Sequence, residues 1–276
     1  MIFVYKAWED FCRELSEKNV RSIAACDVSE KTAGYVVLKH DVETNVPSAC
    51  RIAEIENKYG HCGSYYIQAY LLQDPKNIEL LKKMQKMGHE ISYHHDVMDS
   101  SHGDLAQAAE EFEKNRLLFE SNGFPVVTVC QHGNPIVERN GYHSNRDFFR
   151  NPGIREAYPR ISDIMVNYPE MYRTQYRYFS DAGRQFRRIH DPINNDIVPS
   201  GDQDIPYEDL KALQAALRLT EGNIISIHPH RWVKSAGTHL LKNAVFHIIK
   251  KTAKALMRVP VFKKILSRYY YMAKKV

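Results

Sequence analysis

Apolar positions along this chain follow two patterns that alternate from the N-terminus onward. The residues from Tyr35 to Leu38 form an uninterrupted apolar run, which is typical of a strand buried on both faces. From Val46 to about Gly60, the apolar residues recur at helical spacing instead. Strand patterns also occupy 63–69, 89–94, 125–130 and 223–227, and helical patterns occupy 8–18, 77–87, 105–119 and 207–219. Strands that alternate with helices predict a parallel sheet or a (β/α) barrel.

The segment from about Glu138 to Gly201 does not share this regularity. It is rich in Arg, Tyr, Asn and Pro and shows little periodicity. Long loops and short elements are expected here, and the sequence does not predict their boundaries.

Polar side chains with acid/base or metal-binding chemistry follow four of the predicted strands. They are Asp41 and Glu43, then His94 and His95, then His132, and finally His228 and His230. Each group alone has an ordinary explanation, because acids often cap helices and single histidines are often satisfied core residues. The carboxyl ends of parallel strands meet at one edge, however, where ligands bind. One carboxylate and two imidazoles at that edge would suit a divalent metal, most simply zinc.

Length and composition indicate an ordinary globular protein with reduced cysteines. A single (β/α) barrel of roughly 250 residues would account for most of the 276 residues, of which 43% are hydrophobic and 26% charged. The five cysteines are an odd number without paired spacing, which argues against a disulfide framework or a thiolate zinc site. Acids near the N-terminus and the lack of an apolar stretch of about 18 residues argue against secretion and membrane spanning. A cytoplasmic location is expected.

Longer motifs occur at two of the strand ends. The first reads His40-Asp41-Val42-Glu43, and the second reads Gly88-His89-Glu90-Ile91-Ser92-Tyr93-His94. Both resemble motifs of the polysaccharide deacetylases, the NodB-like carbohydrate esterases. Further marks resemble a subgroup associated with bacterial surface polysaccharide biosynthesis: His132-Gly133-Asn134-Pro135, Asn145-Arg146-Asp147, Ser180-Asp181-Ala182-Gly183-Arg184 and His228-Pro229-His230-Arg231-Trp232. The resemblance implies a distorted (β/α) barrel and metal-dependent removal of an acyl group from the nitrogen of an amino sugar.

The resemblance also implies a role for each matching residue on the metal side of the site. Asp41 corresponds to the general base and Glu43 to the metal carboxylate, although the intervening Val42 leaves the two roles interchangeable. His94 corresponds to the first metal histidine. The second family histidine falls on Met98, so His132 at the next strand end is the expected substitute, with His95 or Asp96 behind it.

On the substrate side, the resemblance implies that His228 protonates the leaving amine and that Asp181 orients His228. A turn role for Asp181 remains the alternative. Loop packing is likewise the alternative for His230 and Trp232. The residues expected to bind the sugar are His95, Asn134, Arg146, Arg184, His230 and Trp232, with Trp232 stacking on a ring face.

The C-terminal end of the chain is strongly basic. Twelve basic residues and no acidic residue follow Glu221, whereas the remaining 26 basic and all 33 acidic residues lie at or before it. Apolar positions from about Thr238 onward recur at helical spacing and are interrupted by Pro260. A barrel domain at 1–236 and a basic amphipathic helical tail at 237–276 are therefore expected. Such a tail suits the anionic inner face of a membrane, while packing on the barrel is an equal alternative and nucleic acid is not an expected partner.

Two functional hypotheses follow. The first is a hydrolase that deacetylates or deformylates an N-acylated sugar, lipid-linked or nucleotide-linked, used for a surface polysaccharide or lipopolysaccharide. The second is a catalytically inactive relative that binds sugars through the same fold, for which the methionine at position 98 is the main argument.

Overall fold

The computed structural model describes residues 3–30, 32, 34–134, 137–198 and 203–245. Nine strands are present in these ranges. In chain order they are β1 (Tyr35–Val42), β2 (Gly63–Ile67), β3 (Glu90–His95), β4 (Thr128–Gln131), β5 (Ser162–Asp163), β6 (Tyr176–Ser180), β7 (Arg187–Ile189), β8 (Ile205–Pro206) and β9 (Gly222–Ile227).

Helices follow most of the early strands, as the alternating pattern predicts. The α-helices are α1 (Tyr5–Glu17), α2 (Val46–Lys58), α3 (Pro75–Lys86), α4 (Val97–Ser100), α5 (Leu105–Ser121), α6 (Asp147–Arg150), α7 (Pro152–Ala157), α8 (Tyr168–Met171) and α9 (Leu210–Ala215). Several begin with a side-chain cap. The Asp74, Asp104 and Asp209 carboxylates accept bonds from backbone N–H groups in the first turns of α3, α5 and α9.

The strands form one mixed sheet in the order β5-β4-β3-β2-β1-β9-β6-β7-β8. The seven strands from β5 to β6 in this order pair in parallel, and β7 and β8 extend the sheet antiparallel. The mixed α/β class with a parallel sheet is therefore confirmed. Closure into a barrel is not shown, because no pairing joins the outer strands β5 and β8 among the described residues.

The strand β1 lies near the middle of this sheet, between β2 and β9. All eight of its residues are buried, as the uninterrupted apolar run predicts. Because both neighbours run parallel to β1, its carboxyl end lies beside the carboxyl ends of β2 and β9. The side chains that follow β1 therefore reach the same edge as those that follow β9.

The sequence predicts the regular first half of the chain better than its middle. The parallel strand β6 lies inside the segment for which only loops and short elements are expected. The helix expected at 207–219 is shorter in the structure, where α9 ends at Ala215. Residues 236–245 are helical, while the rest of the expected basic tail lies outside the described residues, so the domain boundary at 236 stays a prediction. In the described part of the chain, no helix has the length and apolarity needed to span a membrane.

Candidate active site

The end of β1 presents three charged side chains to one side of the sheet. Successive residues of a strand point to opposite faces, so Lys39 and Asp41 share a face, and Glu43 follows them just beyond the strand. All three line the same cleft. His40 points the other way and lies 2.9 Å from the buried Glu56 carboxylate.

A buried ion pair lies at the floor of the cleft. The Lys39 ammonium, only 1% exposed, lies 2.5 Å from Asp41 Oδ1 and donates a second bond to Ser226 Oγ at 3.2 Å. Burial alone would favour a neutral Asp41, but the Lys39 charge and hydrogen bond, together with His94 and His228, outweigh burial and hold the pKa of the Asp41 carboxyl well below its ordinary value. Asp41 is therefore a carboxylate at neutral pH, with Oδ1 committed to Lys39.

Side chains from β3 and from just beyond β1 and β4 form a compact group of metal-type donors. Glu43, His94 and His132 each place a ligand atom within 4.8 Å of the others. His132 Nε2 lies 3.2 Å from Glu43 Oε1, and the His94 and His132 rings meet edge to face at 5.1 Å. Burial raises the pKa of Glu43, but its contacts with His132, His228 and His230 together outweigh burial and place that pKa well below its ordinary value.

Backbone contacts orient His94 within this group. His94 Nδ1 lies 2.9 Å from the Cys130 carbonyl oxygen and donates to it, which leaves Nε2 as the ring nitrogen with a lone pair. Burial lowers the pKa of His94 to about 3, so the ring is neutral at physiological pH. A neutral imidazole with a fixed tautomer is the form that binds a metal.

A second group of donors overlaps the first. Asp41, His94 and Cys130 also place ligand atoms within 4.8 Å of one another. Both groups use His94, and this one includes the carboxylate that pairs with Lys39. Cys130 is buried, and burial raises the pKa of its thiol well above the ordinary value.

A histidine–aspartate pair stands across the cleft from the carboxylates. His228 Nδ1 donates to Asp181 Oδ1 at 2.6 Å, and the His228 backbone N–H donates to Oδ2 at 3.1 Å. Arg231 adds a bond to Asp181 Oδ1 at 2.9 Å. His228 Nε2 points back into the cleft, 3.9 Å from Asp41 Oδ2 and 3.8 Å from Glu43 Oε1.

These groups surround a single cleft of about 500 Å³, which lies within the usual range for small-molecule sites. Besides the acids and histidines, its wall contains small, apolar and amide side chains that leave room for a ligand. They include Gly133, Met165, Tyr178, Ser180, Ala182, Gly183, Ile189 and Asn195.

Two residues expected to bind the sugar lie in the core instead. His95 is fully buried, with Nε2 2.9 Å from Asp163 Oδ2, because it follows His94 on β3 and points to the opposite face. Trp232 is 1% exposed and packs edge to face against Phe3 and Trp8. Neither lines the cleft, so sugar contacts from His95 and ring stacking by Trp232 are corrected to packing roles.

Three other expected sugar contacts also lie outside the cleft wall. Asn134 is buried, and its carbonyl oxygen accepts a bond from Arg139. Arg184 donates to Asn243 Oδ1 at 2.9 Å and so contacts the helix at 236–245. The His230 ring lies 5.9 Å from that of His228, and burial lowers the pKa of His230 to about 4.

Arg146 is the one expected sugar contact that lines the cleft. Its guanidinium donates to Asp196 at 2.7 Å and to Asn195 at 2.8 Å, so it holds the loop that carries Asn195 against the cleft. A supporting role for Arg146 fits these bonds better than direct contact with a ligand.

The sequence also leaves out some of the cleft residues. Lys39 is the most important of these. It lies two residues before Asp41 on the same strand, and residues two apart share a face, so the spacing would have identified it. Arg231 lies in the motif that begins at His228, but the sequence predicts no role for it. In the structure it donates to Asp181. Met98, where the family would place its second histidine, is buried in the hydrophobic core, and its side chain does not line the cleft.

Comparisons with known proteins give little further guidance. No family model matches this chain, and no curated protein sequence matches it significantly. Among solved structures, it is similar to a variant of the peptidoglycan deacetylase PdaC from Bacillus subtilis, at 9% identity and a TM-score of 0.38, over 81% of this chain and 99% of that one. Similarity this low does not establish a family. The chemistry of the cleft is therefore inferred from its own side chains.

Proposed function

We propose that this protein is a metal-dependent N-deacylase that removes an acetyl or formyl group from an amino sugar used for a surface polysaccharide or lipopolysaccharide. The observation that supports this most is the convergence of three groups on one cleft. The donors Glu43, His94 and His132 stand beside Asp41, and His228 Nε2 lies within 4 Å of both acids.

The donor set fits a divalent cation, with zinc the simplest choice. One carboxylate and two imidazoles leave coordination positions open, which is typical of catalytic rather than structural zinc sites. The His94 tautomer supports metal binding, since the bond from Nδ1 to the Cys130 carbonyl leaves Nε2 with a lone pair for a cation. A cation held there would supply Lewis acidity, which polarises an acyl oxygen and makes water more acidic.

Asp41 would act as the general base. Lys39 occupies its Oδ1, so Oδ2 is the oxygen that faces His228 and the open cleft. Asp41 is deprotonated at neutral pH, which is the state required to accept a proton from the attacking water. General-base assistance of this kind is typically worth about 10²- to 10⁴-fold in rate.

His228 would return a proton to the sugar nitrogen as the carbon–nitrogen bond breaks. The sugar nitrogen leaves as an unstable anion unless it is protonated. The reaction therefore needs an acid as well as a base. The Asp181 carboxylate at 2.6 Å fixes the His228 ring, and Arg231 holds Asp181 in place. Asp181 is thus a positioning residue in this proposal.

The basic tail would bring the enzyme to an anionic membrane surface at which lipid-linked sugars are found. Supporting this, the helix at 236–245 exposes Leu240, Leu241 and Val245 by 62%, 68% and 45%, and basic residues follow in the sequence. Replacing Lys250, Lys251 and Lys254 by glutamine in the full chain should weaken sedimentation with anionic vesicles. Equal binding by the wild type and the triple variant would contradict membrane contact through this tail.

The activity can be tested on the full chain loaded with zinc or cobalt. The protein would be incubated with a panel of N-acetylated and N-formylated sugars, both nucleotide-linked and lipid-linked, and released acetate and formate would be measured. We expect release of one acid with one substrate class and its loss in the Asp41→Asn variant. Metal binding and sugar binding without acid release would instead favour the catalytically inactive sugar-binding relative.

A further inference from the structure

The two overlapping donor groups cannot hold a metal at the same time. Both require His94, and its Nδ1 is committed to the Cys130 carbonyl, so Nε2 is the single nitrogen that either group can use. A cation can therefore be bound by His94 either with Glu43 and His132 or with Asp41 and Cys130, but not by both sets. The first choice leaves Asp41 free to act on water, whereas the second would consume it as a ligand.

The local charge differs between the two choices because of Lys39. Its ammonium lies 2.5 Å from Asp41 Oδ1, so a cation on Asp41 would approach a fixed positive charge. The surrounding groups hold this ammonium beside Asp41. It is 1% exposed, bonded to Ser226, and flanked by the rings of Tyr66 and Tyr178 at 5.7 and 6.0 Å.

We propose that Lys39 selects the metal position in this site. Its charge excludes a divalent cation from Asp41, His94 and Cys130 and confines it to Glu43, His94 and His132. Lys39 is thereby a positioning residue that keeps the base and the metal ligand distinct. The inference rests on the proposed function, because it assumes that the cleft binds a divalent metal.

Cobalt titration of the purified full chain tests this selection without using activity. A thiolate bound to cobalt gives an intense charge-transfer absorption in the near ultraviolet, which carboxylate and imidazole ligands do not give. Wild type should bind cobalt without this absorption, and Cys130→Ser should leave its cobalt spectrum unchanged. Glu43→Gln should weaken cobalt binding by about tenfold or more.

The Lys39→Met variant removes the charge and keeps the length of the side chain. We expect its cobalt complex to gain the thiolate absorption and the Lys39→Met, Cys130→Ser double variant to lose it again. A Lys39→Met complex with the wild-type spectrum would overturn the selection.

The wild-type protein alone also provides a decisive result if Lys39→Met does not fold. A thiolate absorption in wild type would overturn the inference and leave the metal-dependent function intact. Absence of any cobalt binding by wild type would contradict the proposed function itself, and the selection with it.

Discussion

Replacing Asp181 by asparagine should lower the rate of the proposed reaction more than it changes the fold. In the wild type, the carboxylate accepts from His228 Nδ1 at 2.6 Å, from the His228 backbone at 3.1 Å and from Arg231 at 2.9 Å. Asparagine retains one acceptor oxygen, which can keep the backbone bond. Its amide N–H₂ group cannot accept from His228 Nδ1, so the ring loses the anionic partner that fixes it.

The magnitude follows from the bond that is lost. A hydrogen bond to a charged group is worth about 1.5–3 kcal/mol, and about 1.4 kcal/mol corresponds to a tenfold change in rate. The value of kcat/KM should therefore fall by about 10- to 10²-fold.

The direction in which the stability of the wild type changes with pH also follows from Asp181. Burial opposes its ionisation, but Arg231 and His228 outweigh burial and lower its pKa. The pair therefore contributes stability at neutral pH, and that contribution is lost as the pH falls below the ordinary aspartate range.

The assay is acid release from the best substrate across pH, with zinc content measured on the same samples. Asp163→Asn is a matched control, since Asp163 is a fully buried carboxylate 2.9 Å from another histidine, His95, outside the cleft. It should cost stability without lowering kcat/KM. Equal losses of kcat/KM in both variants, or an unchanged kcat/KM in Asp181→Asn, would refute the assignment of His228 as the acid.

Three further predictions concern the metal, the core and the sugar. His132→Gln should lose bound zinc, and adding Met98→His should not restore it, because residue 98 lies in the core; recovery of zinc in the double variant would contradict this. Glu56→Gln should lower the free energy of unfolding by about 3 kcal/mol. The wild type should also lose stability as the pH falls from about 4.5, because the histidine partners and Tyr65 together lower the pKa of Glu56 more than burial raises it. Denaturant titrations at pH 7 and pH 4 should show a smaller loss of stability in the variant than in the wild type, and equal losses would contradict this. Trp232→Ala should cost about 3–5 kcal/mol, while Trp232→Phe should leave KM unchanged, and a large rise in KM for the phenylalanine variant would restore the idea of ring stacking.

Strong periodicity allowed the first half of the fold and the edge that bears the site to be predicted from the sequence. The short apolar run before Asp41 is typical of a buried strand, and parallel strands bring their carboxyl ends together. The middle segment is different because β6 reads Tyr-Arg-Tyr-Phe-Ser, with little β-branched content. It becomes a central strand through its pairing with β9, which is a long-range contact that local pattern does not encode.

The errors at the site have a physical cause in side-chain direction. His94 and His95 are adjacent on one strand, so only one of them can face the cleft, and the motif alone does not say which. Trp232 follows a histidine motif, yet its large apolar surface is better buried against Phe3 and Trp8 than left at a wet cleft. The type of each residue suggested the role expected for it, and packing decided where its side chain lies.

The position of His132 is fixed by backbone hydrogen bonds between neighbouring strands, whereas a histidine at position 98 would be placed by a helix. His94 and Cys130 are register partners of β3 and β4, and the His132 N–H donates to the His95 carbonyl at 2.7 Å. The Asn145 side chain then bonds the His132 carbonyl at 2.8 Å and the buried Asp99 carboxylate at 2.9 Å. The short ladder between β3 and β4 is thus extended by side-chain bonds just where a metal ligand follows it. Since donors on rigid, bonded backbone are held more closely than donors on loops, the sheet itself can supply the ligand that a histidine at position 98 would otherwise provide.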